Sequence, residues 1–260
     1  MDLDLGGKTA LITGGSRGIG RAVAEALAAE GCHLVLVSRN AADLDAARKH
    51  IEGTSKVTVR TEASDLSDGA NVARLAAKFP DIEILVNNAG AIPGGTLFDV
   101  DEARWRAAWD LKVFGIINMT RAFYPQMKAR GGGVIVNIIG NAATTHDPNY
   151  ICGVTGNAGL TAFTEAIGSG SLRDGIRVLG VSPGPTATDR LVGLVGKRAQ
   201  ETLGDVARWP ELFKAIPGGR PGQPAEIAAM VAFLASPKCA YASGVVVTMD
   251  AGVSSRAGSD

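Results

Sequence analysis

The residues best suited to acid–base chemistry lie close together in the middle of the chain. The polar or reactive side chains there belong to Asn141, His146, Asp147, Asn149, Tyr150 and Cys152. Tyr150 could exchange a proton with a substrate oxygen, and a phenol whose pKa starts near ~10 ionises more readily beside an ammonium group such as that of Lys112. His146 is the other candidate, because an imidazole titrates near neutral pH. The alternatives are that Tyr150 and His146 are packing or surface residues and that Lys112 is solvated. Cys152 is expected to be a small buried apolar residue.

A glycine-rich segment near the N-terminus could bind a phosphate group. It reads Thr-Gly-Gly-Ser-Arg-Gly-Ile-Gly over residues 13–20 and ends an apolar run. Gly14 permits a tight turn, Gly18 opens a helix whose N–H groups can hold a pyrophosphate, and Gly20 lets that helix pack closely on the strand. Glycines after a strand can also form a turn and nothing more, so the motif needs support from its context.

The end of the second predicted strand bears on which dinucleotide would fit. Sites specific for NAD place a carboxylate there to bind the ribose hydroxyls, and this carboxylate would repel a 2′-phosphate. The chain reads Val-Ser-Arg-Asn over residues 37–40, without an acid. Arg39, with Arg17 as a second cation, therefore favours NADP(H) over NAD(H). The alternative is that one or both arginines are solvated surface residues.

Short β-branched runs alternate with stretches of helical period, which is the pattern of strand–helix units around a parallel sheet. Seven strands are predicted, over residues 9–13, 33–37, 56–60, 82–86, 134–138, 177–181 and 245–249. In such sheets, ligands bind beyond the carboxyl ends of the strands. The predicted fold is therefore an α/β, single doubly wound Rossmann-type domain over residues 1–260, with a parallel seven-stranded sheet.

Two connections in this domain are long. A helix is predicted from about Asp101 to Ala129, with Pro125 near its end and three glycines after it. Residues 186–223 form the least regular stretch and follow the sixth strand. A long irregular connection beside a binding edge is typical of a segment that closes over a ligand, so these residues are predicted to form a lid. The apolar residues of this lid fit either an apolar substrate or docking of the lid itself.

Composition excludes several classes of partner. The chain has 26 basic and 26 acidic residues, so neither nucleic acid nor an anionic membrane is the expected partner. Its three cysteines are far apart and form no Cys-x-x-Cys pair, which favours a reducing, cytoplasmic location. No apolar run approaches the ~18 residues that span a bilayer, and the N-terminus lacks the basic start of a secretion signal. No metal site is predicted, and a small molecule is the expected ligand.

Several motifs, in the same order, resemble the short-chain dehydrogenase/reductase family over nearly the whole chain. They are Thr-Gly-x-x-x-Gly-x-Gly at 13–20, Asp-Leu at 65–66, Asn-Asn-Ala-Gly at 87–90, Pro-Gly-Pro-Thr-Ala-Thr at 183–188, Ser-Gly at 243–244 and Asp-Ala-Gly at 250–252. The resemblance implies an oxidoreductase that moves hydride between a nicotinamide and a carbonyl or alcohol, and a homodimer or homotetramer.

The resemblance also implies a set of cofactor-binding residues. Asp65 and Leu66 would flank the adenine, the residues from Asn88 to Gly90 would line the cofactor wall, and Thr186 and Thr188 would hold the nicotinamide carboxamide. With the glycine-rich segment and Arg39, the expected set is Gly14, Ser16, Arg17, Gly18, Ile19, Gly20, Arg39, Asp65, Leu66, Asn88, Ala89, Gly90, Pro183, Gly184, Thr186 and Thr188.

The family's four catalytic positions are all changed in this chain. The comparison rests on Asn-Ala-Gly-Leu at residues 157–160, which resembles the family's Lys-Ala-Gly-Leu. In this register Gly153 stands at the tyrosine, Asn157 at the lysine, Gly140 at the serine and Lys112 at the asparagine. Groups that act as a unit lose their function together when replaced, so turnover by the usual route is expected to be nearly absent.

Three hypotheses remain open for the function. In the first, an NADP(H)-dependent oxidoreductase uses a relocated proton donor, with Tyr150 and Lys112 preferred over His146. Tyr150 lies one helical turn before Gly153, but sliding it into register puts Val154 at the lysine position. In the second, the protein binds the cofactor as a sensor or partner without turnover. In the third, the same scaffold carries a non-redox enzyme, which the retained nucleotide loop argues against.

Overall fold

Seven parallel strands form the central sheet. The computed structural model describes residues 1–256. The strands are β1 (Thr9–Thr13), β2 (His33–Ser38), β3 (Val59–Ala63), β4 (Ile84–Asn87), β5 (Gly133–Ile138), β6 (Ile176–Pro183) and β7 (Val246–Met249). Their order is β3-β2-β1-β4-β5-β6-β7, and every neighbouring pair is parallel. The predicted doubly wound Rossmann-type fold is confirmed.

Helices connect the strands and cover both faces of the sheet. They are α1 (Gly18–Ala29), α2 (Ala41–Thr54), α3 (Gly69–Lys78), α4 (Glu102–Trp109), α5 (Gly115–Ala129), α6 (Ala142–Thr145), α7 (Ile151–Ser171), α8 (Asp189–Leu203) and α9 (Pro224–Ala235). In β1, Ile12 packs on one face with α1, α2 and α9, whereas Leu11 packs on the other with α3 and α5. Because both faces are buried, the central strands read as continuous apolar runs.

The binding edge lies where the sheet order reverses. The chain moves outward from β1 to β3 and then returns to β4 on the other side of β1. The carboxyl ends of β1 and β4 therefore flank a crevice, which is where ligands bind in open α/β sheets. Below this edge, Asn87 Nδ2 donates to Asn137 Oδ1 at 2.9 Å, and Asn137 Nδ2 donates to Thr164 Oγ1 at 2.9 Å. These buried bonds fix the ends of β4 and β5 relative to α7.

Two predicted strands were placed wrongly along the chain. The third runs over Val59–Ala63 instead of 56–60, because Val59 is the residue that pairs with Leu34 and is buried. The next three residues of this edge strand, Arg60, Thr61 and Glu62, are polar and give no apolar pattern. The fourth begins at Ile84 instead of 82 and ends at the polar residue Asn87. Ile82 is fully buried but precedes the ladder.

The predicted helix from Asp101 to Ala129 is interrupted. Asp101 caps its start by accepting from the Arg104 N–H, and the helix ends at Ala129. Between α4 and α5 lies a π-helical turn, Asp110–Phe114, which adds a residue to the turn that holds Lys112. Such turns are rare and frequently occur at functional sites.

The predicted lid is more regular than expected. It contains α8 and a 3₁₀ helix, Val206–Phe213, so the description of residues 186–223 as the least regular stretch was wrong. The reason is local: Thr188 caps α8 by accepting from the Leu191 N–H, and Gly204 ends it in the left-handed region at φ 76°. Each end of the segment is fixed, because Ala187 N donates to Gly222 O at 2.8 Å and Gly222 N donates to Pro185 O at 2.9 Å.

Within residues 1–256, no helix combines the length and the apolar character that crossing a bilayer requires. The same residues contain no cluster of three or more His, Cys, Asp or Glu side chains that could hold a metal ion.

Candidate functional site

The glycine-rich loop is held open by the residues that follow β4. Thr13 Oγ1 accepts from the N–H groups of Asn88 and Ala89 at 2.8 and 2.9 Å. In return, Asn88 Nδ2 donates to the carbonyl oxygens of Thr13 and Gly14 at 3.0 and 3.3 Å. Gly14 and Gly18 adopt positive φ angles of 65° and 54°. The loop is thus preorganised with its N–H groups free of helix partners at the start of α1.

Two glycines of this loop are required by close contacts. A Cβ on Gly14 would lie 2.8 Å from Asn88 Nδ2. A Cβ on Gly20 would overlap the Gly14 carbonyl oxygen and the Asn88 amide. The glycines therefore allow α1 to approach β1 and let Asn88 hold the loop, as their spacing predicted for Gly20.

An open cleft lies over the carboxyl ends of β1, β2 and β4. Its volume is about 680 Å³, and it is lined by Gly14, Ser16, Arg17, Val37, Ser38, Arg39, Asn40, Ala41, Ala42, Ser64, Leu66, Ala89, Gly90, Ala91 and Leu111. The lining passes from the glycine-rich loop, past the end of β2, to the segment after β4. A cleft of this size and place suits an extended ligand with a phosphate in its middle.

The structure divides the expected cofactor residues into lining and supporting groups. Seven of them line the cleft: Gly14, Ser16, Arg17, Arg39, Leu66, Ala89 and Gly90. Asn88 supports the loop through the bonds described above. Asp65 is turned away to accept two hydrogen bonds from Ser67, which lower the pKa of its carboxyl. Its neighbour Leu66, which is buried, forms the wall instead.

The remaining expected cofactor residues lie in two groups at the same edge. Gly18, Ile19 and Gly20 form the first turn of α1. Pro183 ends β6, and Gly184, Thr186 and Thr188 follow it. The groups meet, because a Cβ on Gly18 would lie 3.2 Å from Thr188 Cγ2. The start of α8 therefore lies against the glycine-rich loop.

The two arginines differ in their surroundings. Arg17 is 70% exposed and forms an ion pair with Asp43, Nη2 to Oδ2 at 3.1 Å. Arg39 is exposed and lines the cleft, and its charge is among the effects that lower the pKa of Asp65. Ser38 ends β2 without an acid, but Asp43 places a carboxylate in the first turn of α2. Sequence reasoning missed this carboxylate because it follows the strand end by five residues.

Lys112 is buried at the edge of the sheet. Its side chain is 7% exposed, and Nζ donates to the carbonyl oxygen of Ile138 at 2.5 Å. Its stem fills the space beside Gly90, where a Cβ would lie 3.2 Å from Lys112 Cγ. Burial, with a smaller effect from the positive charge of Arg190, lowers the pKa of Lys112 to about 7. The alternative that Lys112 is a solvated surface residue is wrong.

Asn157 occupies the space that a side chain at residue 140 would need. A Cβ on Gly140, whose φ is 146°, would lie 2.8 Å from Asn157 Nδ2. Asn157 is 4% exposed, and its Oδ1 has no hydrogen-bond partner in the described part of the chain. An unpaired buried carbonyl oxygen costs free energy unless a donor reaches it.

Tyr150 fills the space left by Gly153. A Cβ on Gly153 would overlap the Tyr150 ring, including Cζ, the carbon that carries the hydroxyl. The Tyr150 hydroxyl is therefore about one bond beyond the place where a Cβ of residue 153 would lie. A tyrosine at residue 153 would instead carry its hydroxyl a whole ring length from that Cβ. Tyr150 restores a phenol to this part of the site, but closer to α7.

The predicted effect of Lys112 on Tyr150 was wrong. Burial raises the pKa of Tyr150, and the cation that partly offsets this effect is Arg190, not Lys112. Arg190 donates to Gly90 O at 3.0 Å and to Ile92 O at 2.8 Å, which places it across the segment after β4. Sequence reasoning missed Arg190, because only the fold brings the start of α8 to this segment.

The other candidates near β5 have different surroundings. His146 is exposed and ends α6 in the left-handed region at φ 49°. Cys152 is fully buried beside Ile92 and Ala108, as predicted for a small apolar residue. Asn141 Nδ2 donates to Asp250 Oδ2 at 3.2 Å, which ties the end of β5 to the segment after β7.

Comparison with known proteins agrees with this geometry. The family model described as short chain dehydrogenase matches residues 8–198. The 2-keto-3-deoxy-L-fuconate dehydrogenase of Xanthomonas campestris pv. campestris is 33% identical over 251 residues, covering 95% of this chain and 80% of that protein. The galactitol 2-dehydrogenase (L-tagatose-forming) of Cereibacter sphaeroides is 32% identical over 95% of each chain. The structure of L-sorbose reductase from Gluconobacter frateurii, complexed with NADPH and L-sorbose, is similar with a TM-score of 0.92 and 28% identity over 99% of this chain and 100% of that chain. This chain therefore belongs to the short-chain dehydrogenase family.

Proposed function

We propose that the protein is an NADP(H)-dependent oxidoreductase that acts on a small carbonyl or alcohol compound through a rebuilt proton-transfer centre. The observation that carries the proposal is the preorganised cleft of about 680 Å³, which continues from the glycine-rich loop to Gly90, where the buried side chain of Lys112 packs. A protein that bound adenosine alone would need only the first part of this surface.

The residues present fit a nicotinamide dinucleotide. Gly14 and Gly20 let Asn88 hold the loop and let α1 approach β1, and the first turn of α1 then offers N–H groups without helix partners to a pyrophosphate. When bound, the cofactor would supply or accept the hydride. The similar L-sorbose reductase structure contains NADPH, which supports this choice of ligand.

The preference for NADP(H) rests on the end of β2. Ser38 leaves room for a 2′-phosphate where a carboxylate would repel it, and the Arg39 guanidinium lies in the cleft to bind it. Asp43 opposes this preference by pairing with Arg17. We therefore expect Asp43→Asn to release Arg17 and tighten NADPH binding, and Arg39→Asp to weaken it.

Lys112 and Asn157 have exchanged residue types relative to the family's asparagine and lysine. The amine now comes from the π-helical turn before α5, and the amide comes from α7. A lysine whose pKa is about 7 can both donate and accept a proton near neutral pH. Tyr150, whose pKa is raised, keeps its proton and can donate a hydrogen bond to a substrate oxygen.

The experiment follows nicotinamide absorbance while the purified protein and NADPH are mixed with a panel of aldehydes and ketones. We expect turnover that falls by about 10²-fold in Lys112→Met, the loss typical of a missing proton donor. The matched control is Lys197→Met, since Lys197 is 88% exposed on α8. Tyr150→Phe is expected to lower turnover as well, because its hydroxyl is lost while the ring is kept.

One observation favours a second function: the Tyr150 hydroxyl extends less far from α7 than the hydroxyl of a tyrosine at residue 153 would. If that hydroxyl and Lys112 cannot reach a substrate, the protein binds NADPH as a sensor or partner without turnover. NADPH binding without reaction of any carbonyl or alcohol would favour this function. A Lys112→Met variant as active as the parent would contradict the proposed proton transfer.

A further inference from the structure

Two cations meet at the nicotinamide end of the cleft, on either side of Gly90. Arg190 donates to Gly90 O and to Ile92 O at 3.0 and 2.8 Å. The stem of Lys112 packs on Gly90, and its amine reaches Ile138 O. The charge of Arg190 is close enough to lower the pKa of Lys112. One small region therefore holds two positive groups.

No carboxylate among the described residues pairs with either cation. The ion pairs among residues 1–256 include neither Lys112 nor Arg190, although Asp189 is adjacent to Arg190 in the chain. Within the described residues, the charged group that affects the pKa of Lys112 is Arg190, which repels it. Lys112 is buried with no carboxylate of residues 1–256 beside it, whereas Arg190 is exposed, so an anion from solution can reach Arg190 and offset the positive charge of this region.

Both cations also have hydrogen-bond donors to spare. The ammonium of Lys112 has three donors, and in the described structure it uses one, although its side chain is only 7% exposed. Arg190 donates one N–H from each terminal nitrogen to a backbone carbonyl and also has a hydrogen bond with the Tyr150 side chain, which leaves part of its five N–H donors for a ligand. Arg177, the other buried cation, differs, because it donates to four backbone carbonyls at the end of α9. Its role is structural, whereas Lys112 and Arg190 have donors left for a ligand.

We propose that Arg190 binds a carboxylate of the substrate, so that the substrate is a keto acid or a hydroxy acid. A planar guanidinium matches a carboxylate with two parallel hydrogen bonds, and the bound anion offsets the repulsion between Arg190 and Lys112. Lys112 remains beside the reacting oxygen. The inference rests on the proposed function for the reaction, but carboxylate binding can be measured without it.

The test compares short 2-oxo acids of increasing chain length with the neutral ketones of the same carbon skeletons. Binding to the full-length protein is measured by isothermal titration calorimetry, with and without saturating NADP⁺. We expect the acids of at least one chain length to bind about 10- to 100-fold more tightly than the matched ketones, the usual value of a charge-assisted pair. Arg190→Gln should remove this difference, and Arg190→Lys should restore part of it.

The matched control is Arg198→Gln, because Arg198 is exposed on the same helix and forms no ion pair in residues 1–256. It should keep the preference for acids. Equal affinity for acids and ketones in the parent protein, or an acid preference that survives Arg190→Gln, would overturn the inference. If the parent protein prefers acids but does not bind NADPH, the proposed function is contradicted and the carboxylate site is not.

Discussion

Replacing Lys112 with methionine should change how stability depends on pH. In the unfolded chain this amine titrates near 10.5, whereas burial lowers its pKa to about 7 in the folded protein. Between these values the unfolded state binds the proton more strongly than the native state does. The free energy of unfolding of the parent protein therefore rises with pH across this window. Below pH 7, Lys112 is protonated in both states, so the full cost of burying its charge lowers the free energy of unfolding.

The size of the effect follows from the pKa difference. A pKa lowered from 10.5 to about 7 corresponds to roughly 5 kcal/mol, and because Lys112 is 7% exposed, solvent screening reduces this value little. Methionine keeps most of the apolar stem and has no charge. It leaves the Ile138 carbonyl unpaired, at a pH-independent cost of about 1 kcal/mol. Lys112→Met should thus be more stable than the parent near pH 6.5 and lose that advantage towards pH 10.

The assay is urea denaturation followed by circular dichroism at a series of pH values, at one protein concentration for all variants, so that any self-association affects them equally. Lys197→Met is the control, since this exposed lysine should give a curve parallel to the parent's. A constant difference between Lys112→Met and the parent over this range would refute the reasoning, because it would mean that Lys112 titrates alike in both states.

Three further predictions concern the loop and the thiols. Gly20→Ala should lower the free energy of unfolding by about 3 kcal/mol or more and abolish NADPH binding, since its Cβ would overlap Gly14 O. The control is Gly193→Ala, whose Cβ would have no atom within 4 Å and which should be neutral or stabilising in thermal unfolding. Thr13→Val should cost about 2 kcal/mol and weaken NADPH binding, because two N–H groups lose their acceptor; a binding constant like the parent's would contradict this. Burial raises the pKa of Cys32 to about 12, so in a thiol titration with Ellman's reagent the half-buried Cys239 should react first and Cys32 only after unfolding.

The nucleotide end of the site could be predicted from the sequence because local spacing determines it. The glycine-rich turn belongs to one strand–helix unit. The spacing of Gly14 and Gly20 within this unit therefore predicts the tight turn and the close packing of helix on strand. The partner that requires them, Asn88, comes from a distant strand, and its amide contacts explain why a Cβ is excluded at both positions. The edge strand β3 was misplaced because Val59 is the one residue in it that is buried.

The catalytic end could not be predicted to the same depth, because its properties arise from tertiary contacts. The pKa of Lys112 depends on burial under Gly90 and on Arg190, and neither is visible from its neighbours in the chain. The π-helical turn that carries Lys112 has no clear sequence signal. Tyr150 lies close to the vacant position at Gly153, and its catalytic role stays a prediction; the cation beside it, Arg190, comes from the start of α8.

The most direct test of the account is a fluorescence titration of the purified protein with NADPH and NADH, repeated with Arg39→Asp. We expect NADPH to bind more tightly than NADH and Arg39→Asp to reverse this preference, because the guanidinium at the end of β2 is replaced by a carboxylate. Failure of both nucleotides to bind the parent protein would contradict the account at its centre, since the preorganised cleft would then serve another ligand.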